Sequence, residues 1–258
     1  MSVVLLTAAL AVAVVSAIRG VWSPCGLSML SSITPMTESG RGNRFSVTAS
    51  WFLVGGIVGG ASIGLLAAVG ALGIGALDLS VTARCTIAFA LAVGTAAVDL
   101  GAFGIELPIF KRQVNDAWLR RYRGWAYGAG FGWQIGFGVA TYIMTAGILL
   151  MVGLAVLTAS PFQALLIGTT FGIVRGSAVF VGRSATSPAA LGQIHATLER
   201  YAPVSRAAAA LVQVVAASAL VLCGPAGPAR TVLAASLVPA ALAVGWLRSR
   251  STVRQAHT

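Results

Sequence analysis

The sequence has few charged side chains and hardly any acidic ones. Of its 258 residues, 9% are charged and 57% are hydrophobic, whereas soluble globular proteins carry about 25% charged residues. So few charges cannot cover the surface of a water-soluble fold of this length. The composition therefore excludes a soluble enzyme or binding domain and predicts an integral membrane protein.

Cysteine and histidine are also scarce. Three cysteines, Cys25, Cys85 and Cys223, are too few and too scattered for the disulfide framework of a secreted domain. The two histidines, His195 and His257, stand alone in the sequence. The sequence therefore predicts no metal centre and no cofactor.

Among the charges that are present, basic residues dominate. There are 17 Lys and Arg residues against 6 Asp and Glu residues, a net charge of +11. Such an excess can indicate nucleic-acid binding. Here the basic residues lie in the gaps between apolar runs, so we predict no nucleic-acid partner and interpret them as membrane-topology signals.

Seven apolar runs approach or exceed the roughly 20 residues that a membrane-spanning helix needs. Thirteen of the 17 basic residues fall on one side of these runs and two on the other. Because basic loops stay in the cytoplasm, this predicts a bacterial cytoplasmic-membrane protein with its N-terminus outside and its C-terminus cytoplasmic. The predicted spans lie near residues 2–35, 46–73, 82–104, 125–157, 160–182, 205–223 and 229–247.

Two of the predicted spans, the first and the fourth, exceed 30 residues. A continuous helix of that length measures roughly 48 Å, against a hydrocarbon core of about 30 Å. Both spans contain signals that break a helix, so we predict that each is discontinuous. These signals are Ser23-Pro24-Cys25-Gly26 in the first span and Gly130, Gly132, Gly136 and Gly138 in the fourth.

An internal repeat places the two broken spans at equivalent positions. Gly56-Ile57-Val58 with Gly60 matches Gly172-Ile173-Val174 with Gly176, in the second helix of each of two three-helix units. The fold prediction is an all-α polytopic membrane protein, with two inverted repeats that have broken first helices, plus one C-terminal helix. The predicted divisions are a first repeat at 1–104, a basic interfacial loop at 105–124, a second repeat at 125–223, and a seventh helix with a basic tail at 224–258.

The Ser23-Pro24-Cys25 motif and the repeat together resemble the CcdA/DsbD transmembrane-domain family, within the wider LysE-like group of small exporters. The resemblance implies transfer of reducing equivalents across a bacterial membrane by one cysteine in the first helix of each repeat. Cys25, beside Pro24, corresponds to the first of these cysteines. The second has no counterpart, because Ile135 occupies its place.

Three charged side chains lie within predicted spans: Arg19, Asp99 and Arg175. Charges at such depth are costly and commonly mark a substrate or ion path. All three fall in the same half of the membrane, so pairing of Asp99 with either arginine is feasible. The three charges together leave a net positive charge, which would favour an anion. The alternative is that the arginines extend toward the headgroups.

Polar residues in the two broken spans are candidates for lining a path between the repeats. The alternative is that they only hydrogen-bond neighbouring helices together. They are Ser28, Ser31, Ser32 and Thr34 in the first span and Gln134, Thr141, Tyr142 and Thr145 in the fourth.

Two further features concern surfaces at the ends of the spans. The segment at 111–125 is basic and aromatic, which predicts contact with anionic lipid at the cytoplasmic face. Docking of a cytoplasmic partner is the alternative. Cys85 and Cys223 fall on the outer side, where a disulfide is possible, although two unrelated small residues are the favoured interpretation.

Three functions remain open from the sequence. The first is transport of a small solute, possibly an anion, at the interface of the repeats. The second is thiol–disulfide exchange through Cys25 with a redox partner protein, which is the enzymatic alternative. The third is a non-catalytic membrane scaffold for the assembly of another complex.

Overall fold

A computed structural model describes residues 2–101 and 117–222 of the chain. These residues are predominantly helical and contain no β-strand. The helices are α1 (Ser2–Arg19), α2 (Pro24–Ser32), α3 (Pro35–Gly40), α4 (Phe45–Ala76), α5 (Val81–Asp99), α6 (Trp118–Arg121), α7 (Gly124–Phe137), α8 (Gly147–Leu157), α9 (Pro161–Ser177) and α10 (Pro188–Leu222).

Helices in the described part of the chain include five segments long and apolar enough to cross a membrane. The chain is therefore an all-α polytopic membrane protein. The predicted seventh helix and basic tail lie outside the described residues, as do Cys223 and most of the interfacial loop. The five segments are Val3–Trp22, Phe45–Ala76, Val81–Asp99, Pro161–Ser184 and Pro188–Val221.

The first span is broken where Ser23 and Pro24 predict it. After α1, one 3-10 turn at Gly20–Trp22 leads into Ser23, whose backbone is extended with φ −70° and ψ 153°. The Ser23 hydroxyl accepts a hydrogen bond from the Gly26 amide at 3.0 Å, and Pro24 takes the first helical position of α2. A serine N-cap followed by proline is a strong helix start, so the chain resumes its helix at once.

The fourth predicted span is broken at Gly138. This glycine ends α7 with a φ of +77°, which glycine adopts without strain, and residues 138–146 are not helical before α8 begins. The other three glycines that predicted the break, Gly130, Gly132 and Gly136, lie inside α7. That part of the prediction is wrong, because at least Gly132 and Gly136 serve helix packing.

The glycines of α4 allow two helices to pack directly on its backbone. A Cβ on Gly60 would lie 2.6 Å from the Gly172 Cα, and a Cβ on Gly56 would lie 2.8 Å from the Gly176 Cα. Residue numbers rise along α4 as they fall along α9, so these helices are antiparallel. On its other side α4 runs parallel to α7, where Gly132 and Gly136 meet the backbone of Phe52 and Gly56.

The helix α10 is longer than predicted. It runs unbroken from Pro188 through Pro203 to Leu222, whereas the sixth predicted span starts only at residue 205. Its first half contains polar residues such as Gln193, Glu199 and Arg200, which lowered the hydropathy there. Glutamine, glutamate and arginine are nevertheless good helix formers, so the helix extends beyond the apolar run.

Buried apolar residues form two clusters. The larger one is built from α1, α5, α8, α10 and facing parts of α4 and α9. The smaller one joins α2 and α7 to the first turns of α4 and to the 3-10 turn Ala178–Ser184. The two helix breaks lie where α1 gives way to α2 and where α7 gives way to α8, between these clusters.

Candidate functional site

The break in the first span is filled by an arginine from another helix. Arg175, near the end of α9, is only 3% exposed. Its Nη1 donates to the Ala17 carbonyl at 3.3 Å and its Nη2 donates to the Ser23 hydroxyl at 3.2 Å. Carbonyls in the last turn of a helix lack helical partners and carry a partial negative charge. Arg175 therefore neutralises the end of α1.

The Arg175 guanidinium packs directly against the backbone at Gly20. A Cβ added to Gly20 would overlap Nη1 of Arg175. A side chain at this position would displace the guanidinium from the place that it occupies in the break.

Cys25 lies beside the same break. It is the second residue of α2 and is 1% exposed, and it is near enough to Arg175 for an electrostatic interaction. Cys25 therefore lies near both the Arg175 guanidinium and the N-terminus of α2. Its neighbour Pro24 is exposed.

The break in the fourth span is filled by a carboxylate, again from another helix. Asp99, the last residue of α5, accepts hydrogen bonds from the Thr145 hydroxyl and, at 2.7 Å, from the Ala146 amide. The Gln213 side-chain amide donates to it at 2.5 Å. Ala146 is the N-cap residue of α8 and makes no side-chain cap hydrogen bond. Asp99 therefore caps this helix start from another helix, together with the Thr145 hydroxyl, which accepts from the Gly147 amide at 3.0 Å.

The two breaks meet through α1. A Cβ on Gly147, the first residue of α8, would overlap the Ser16 hydroxyl and lie 3.1 Å from the Thr145 hydroxyl. Ser16, Thr145 and Gln213 are all buried, and Ser16 lies one turn before Arg19. The resulting polar cluster joins the end of α1, the end of α5, the start of α8 and the middle of α10.

Arg19, one turn of α1 after Ser16, hydrogen-bonds to α10. It is 4% exposed, donates from Nη1 to the Ser205 hydroxyl at 2.9 Å, and places its Cζ 6.0 Å from the centroid of the Trp22 ring. The indole nitrogen of Trp22 in turn donates to the Leu198 carbonyl at 2.6 Å, which fixes the ring beneath the arginine.

The feasible pairing of Asp99 with an arginine does not form. Within residues 2–101 and 117–222, the only ion pair joins Arg41 to Glu38. Asp99 is instead satisfied by neutral donors and Arg175 by neutral acceptors, because each lies at a helix end that offers such groups.

The other predicted path residues do not converge. The Ser31 hydroxyl bonds to the Leu27 carbonyl at 2.9 Å and lies 3.3 Å from Nε2 of His195. Thr141 is buried, and no described residue is a hydrogen-bond partner of its hydroxyl. In the described part of the chain, no hydrogen bond joins the serines of α2 to the residues of the second break. Ser28, Ser32, Gln134 and Tyr142 are half-buried.

The sequence interpretation missed several residues of the polar cluster. Ser16, Ser205 and Gln213 carry no charge, and neutral polar residues were predicted as path residues only near the breaks of the first and fourth spans. A buried glutamine in an apolar span is nevertheless a signal, since its amide requires partners. The same criterion applied to the sixth predicted span indicates Gln213 from the sequence.

A second polar cluster was also missed, at the end of the molecule that is predicted to be cytoplasmic. Glu38 reads as part of a basic surface loop but is fully buried. It accepts hydrogen bonds from the hydroxyls of Tyr127 and Thr48, each at 2.6 Å, and pairs with Arg41 at 2.8 Å. These bonds tie α3 to the starts of α4 and α7.

Comparison with known proteins gives two relatives of low identity. The Methylamine utilization protein MauF of Paracoccus denitrificans is 29% identical over 180 residues, which cover 64% of this chain and 60% of the relative. The Methylamine utilization protein MauF of Methylorubrum extorquens is 26% identical over 163 residues, covering 61% and 55%. The match thus spans less than two thirds of each relative. No family model and no solved structure matches the chain.

Proposed function

We propose that the protein moves a small solute across the bacterial cytoplasmic membrane, in support of methylamine utilization. The observation that carries the proposal is the meeting of two helix breaks at one buried polar cluster. Broken helices are tolerated at membrane depth where protein or a cavity covers them, and in transporters they frame the binding site. The MauF relatives supply the metabolic context.

The polar cluster favours transport over scaffolding. A scaffold could satisfy its helices internally with continuous hydrogen-bond ladders, whereas this chain buries Arg19 and Arg175 and half-buries Asp99. Such side chains are costly in a bilayer. Burying them at adjoining helix ends is the arrangement expected of a protein that holds polar cargo.

The first test is genetic. A deletion strain is grown on methylamine and, separately, on a carbon and nitrogen source that needs no methylamine. We expect growth to fail on methylamine alone, to be restored by the wild-type chain, and to stay defective with Asp99→Asn at normal membrane levels. Asp78→Asn, at an exposed aspartate, is the matched control. If the deletion strain grows normally on methylamine, the protein has no role in methylamine utilization.

The second test addresses transport itself. Membrane vesicles from deletion cells carrying the wild-type or the Asp99→Asn chain are incubated with a small-molecule extract of methylamine-grown cells. Mass spectrometry of the vesicle contents should reveal at least one compound that accumulates only with the wild-type chain. Identical contents in the two preparations would count against transport.

A second candidate function rests on Cys25 and its position beside Arg175. In this reaction the Cys25 thiolate attacks a disulfide of a partner protein, forms a mixed disulfide and releases the partner's other sulfur as a thiolate. A thiol of a second protein then attacks the mixed disulfide and regenerates Cys25. The broken first helix with Ser23-Pro24-Cys25 supports this CcdA/DsbD-like alternative.

Cys25→Ser separates the two functions, with Cys85→Ser as a control at another buried cysteine. Full growth on methylamine with Cys25→Ser would eliminate the thiol reaction and leave transport. Loss of growth, together with a mixed disulfide trapped on the wild-type chain after acid quenching and alkylation, would favour the thiol reaction.

A further inference from the structure

Two arginines lie within electrostatic range of each other where α1 meets α10. Arg19 ends α1, and its guanidinium lies 2.9 Å from the hydroxyl of Ser205 on α10. The next residue of α10 is Arg206, which is close enough for its charge to act on Arg19. Arg19 is buried, whereas Arg206 is exposed.

No carboxylate in the described part of the chain forms an ion pair with either arginine. Asp99, the acidic group whose field reaches Arg19, is already engaged by Thr145, Ala146 and Gln213. A buried cation such as Arg19 beside a second cation is unfavourable unless a counter-charge lies close to it.

We propose that Arg19 and Arg206 together bind an oxyanionic group, a phosphate or carboxylate, between α1 and α10. The planar guanidinium presents paired donors that match the oxygens of such groups. Arg19 uses one side-chain hydrogen bond among the described residues, to the neutral hydroxyl of Ser205, so it keeps donors for an anion. Trp22 holds the guanidinium in place from below.

The site leads inward to the polar cluster. Arg206 is exposed at the surface. Arg19 lies one turn of α1 after Ser16, and Ser16 touches the start of α8. An anion bound here would therefore stand next to the meeting point of the two breaks. The identification of this anion as the transported solute rests on the proposed function, but its binding does not.

The oxyanion has two sources, a free anion or the headgroup of an anionic lipid. The exposed neighbours Tyr201 and Val204 place Arg206 on a surface with apolar and aromatic side chains, where a lipid could approach. A free anion would reach Arg19 through the same opening. The two sources are distinguished by supplying each one alone.

The binding test uses the full chain in phosphatidylcholine nanodiscs. Thermal unfolding is measured in sodium phosphate and in sodium chloride at matched ionic strength and pH. We expect phosphate to raise the Tm of the wild-type chain and of Arg200→Gln, an exposed arginine on the same helix. Arg206→Gln should weaken the phosphate affinity about tenfold, as expected for the loss of one charge-assisted contact. Arg19→Lys, which keeps the charge but loses the paired donors, should weaken it as well.

The lipid arm replaces part of the phosphatidylcholine with phosphatidylglycerol and omits phosphate. Stabilisation by this lipid alone, lost in Arg206→Gln and kept in Arg200→Gln, would support the site and identify a headgroup as its ligand. An equal effect of either anion on Arg206→Gln and the wild-type chain, or no effect of either anion, would overturn the site. The growth and vesicle tests above are independent of these measurements, so failure of transport and failure of binding remain distinguishable.

Discussion

The two helix breaks solve the same problem with charges of opposite sign. At the first break a helix ends, and Arg175 neutralises its carbonyl end. At the second break a helix starts, and Asp99 neutralises its amide end. In both cases the charge comes from a different helix and matches the sign that the helix end requires. Arg175 and Asp99 thus stabilise helix ends inside the spans, whether or not they also bind a solute.

The breaks differ in how much backbone they leave outside a helix. At the first, Ser23 and Pro24 restart the helix after one 3-10 turn. At the second, residues 138–146 are non-helical and include the buried Thr141 hydroxyl, which lacks a partner among the described residues. The first span therefore has a short, tightly packed break. The fourth span has a longer break, whose backbone we expect to deform more easily.

The largest expected effect tests the tightness of the first break. Gly20→Ala places a Cβ on top of the Arg175 guanidinium, which must then leave its two acceptors. We expect a loss of about 3 kcal/mol of stability, the magnitude for disrupting a buried charge, measured as thermal unfolding by size-exclusion chromatography. Gly192→Ala on α10, where a Cβ meets nothing within 4 Å, is the control. Similar unfolding temperatures for Gly20→Ala and Gly192→Ala would show that the first break has room for a Cβ and is not tightly packed.

The next effect tests the carboxylate at the second break. Asp99→Asn keeps the shape but turns one acceptor into a donor that faces other donors. We expect a loss of about 2 kcal/mol, the cost of a buried group left without a partner, in the same unfolding assay. Asp78→Asn should be close to neutral, because Asp78 is exposed and its φ of 44° suits asparagine. If Asp99→Asn unfolds like the wild-type chain, Asp99 is not the cap of α8.

A smaller effect measures how well the second break adapts. Gly138 and Gly42 have φ angles of +77° and +74°, but only at Gly138 would a Cβ meet neighbours, the nearest being the Phe171 ring at 2.9 Å. Gly42→Ala should cost about 1 kcal/mol for the backbone alone. Gly138→Ala should cost about 1 kcal/mol more if the ring cannot move. Equal unfolding temperatures for the two variants would show that the second break absorbs the added methyl.

The smallest effect concerns the cap that restarts the first span. Ser23→Ala removes the N-cap of α2 and one acceptor of Arg175, for a loss of about 1.5 kcal/mol. Ser80→Ala removes an N-cap of α5 that bonds only to the Ala83 amide and should cost about 1 kcal/mol. The difference between the two unfolding temperatures isolates the contact of Ser23 with Arg175, and no difference would mean that this contact adds nothing.

The breaks could be predicted from the sequence, but their partners could not. Proline after serine restarts a helix through local geometry, which is why the Ser23-Pro24 break is legible in the sequence. The separation of Asp99 from both arginines depends on how α5, α9 and α1 are placed, which hydropathy does not encode. The burial of Glu38 could not be predicted for the same reason, since it depends on Tyr127, far away in the sequence.

Among the predictions that concern the chain as a whole, some are confirmed and others stay predictions. Spans longer than the membrane is thick require a break or a tilt, and both long spans are indeed broken. The repeat relation of residues 1–104 and 125–223, the orientation of the termini, and the Cys85–Cys223 pair stay predictions. Cys85 is buried in α5, and its proposed partner lies outside the described residues.

The backbone-to-backbone packing of α4 limits which parts of the molecule can move. Because glycines bring α7 and α9 directly against α4, few side chains at those seams can change rotamer, and we expect the three helices to shift as one rigid body. Motion then concentrates where a long side chain separates the helices, as where Arg19 reaches from α1 to Ser205 on α10. The glycine contacts of α4 with α7 and α9 would thus determine the axis about which the helices rotate relative to one another.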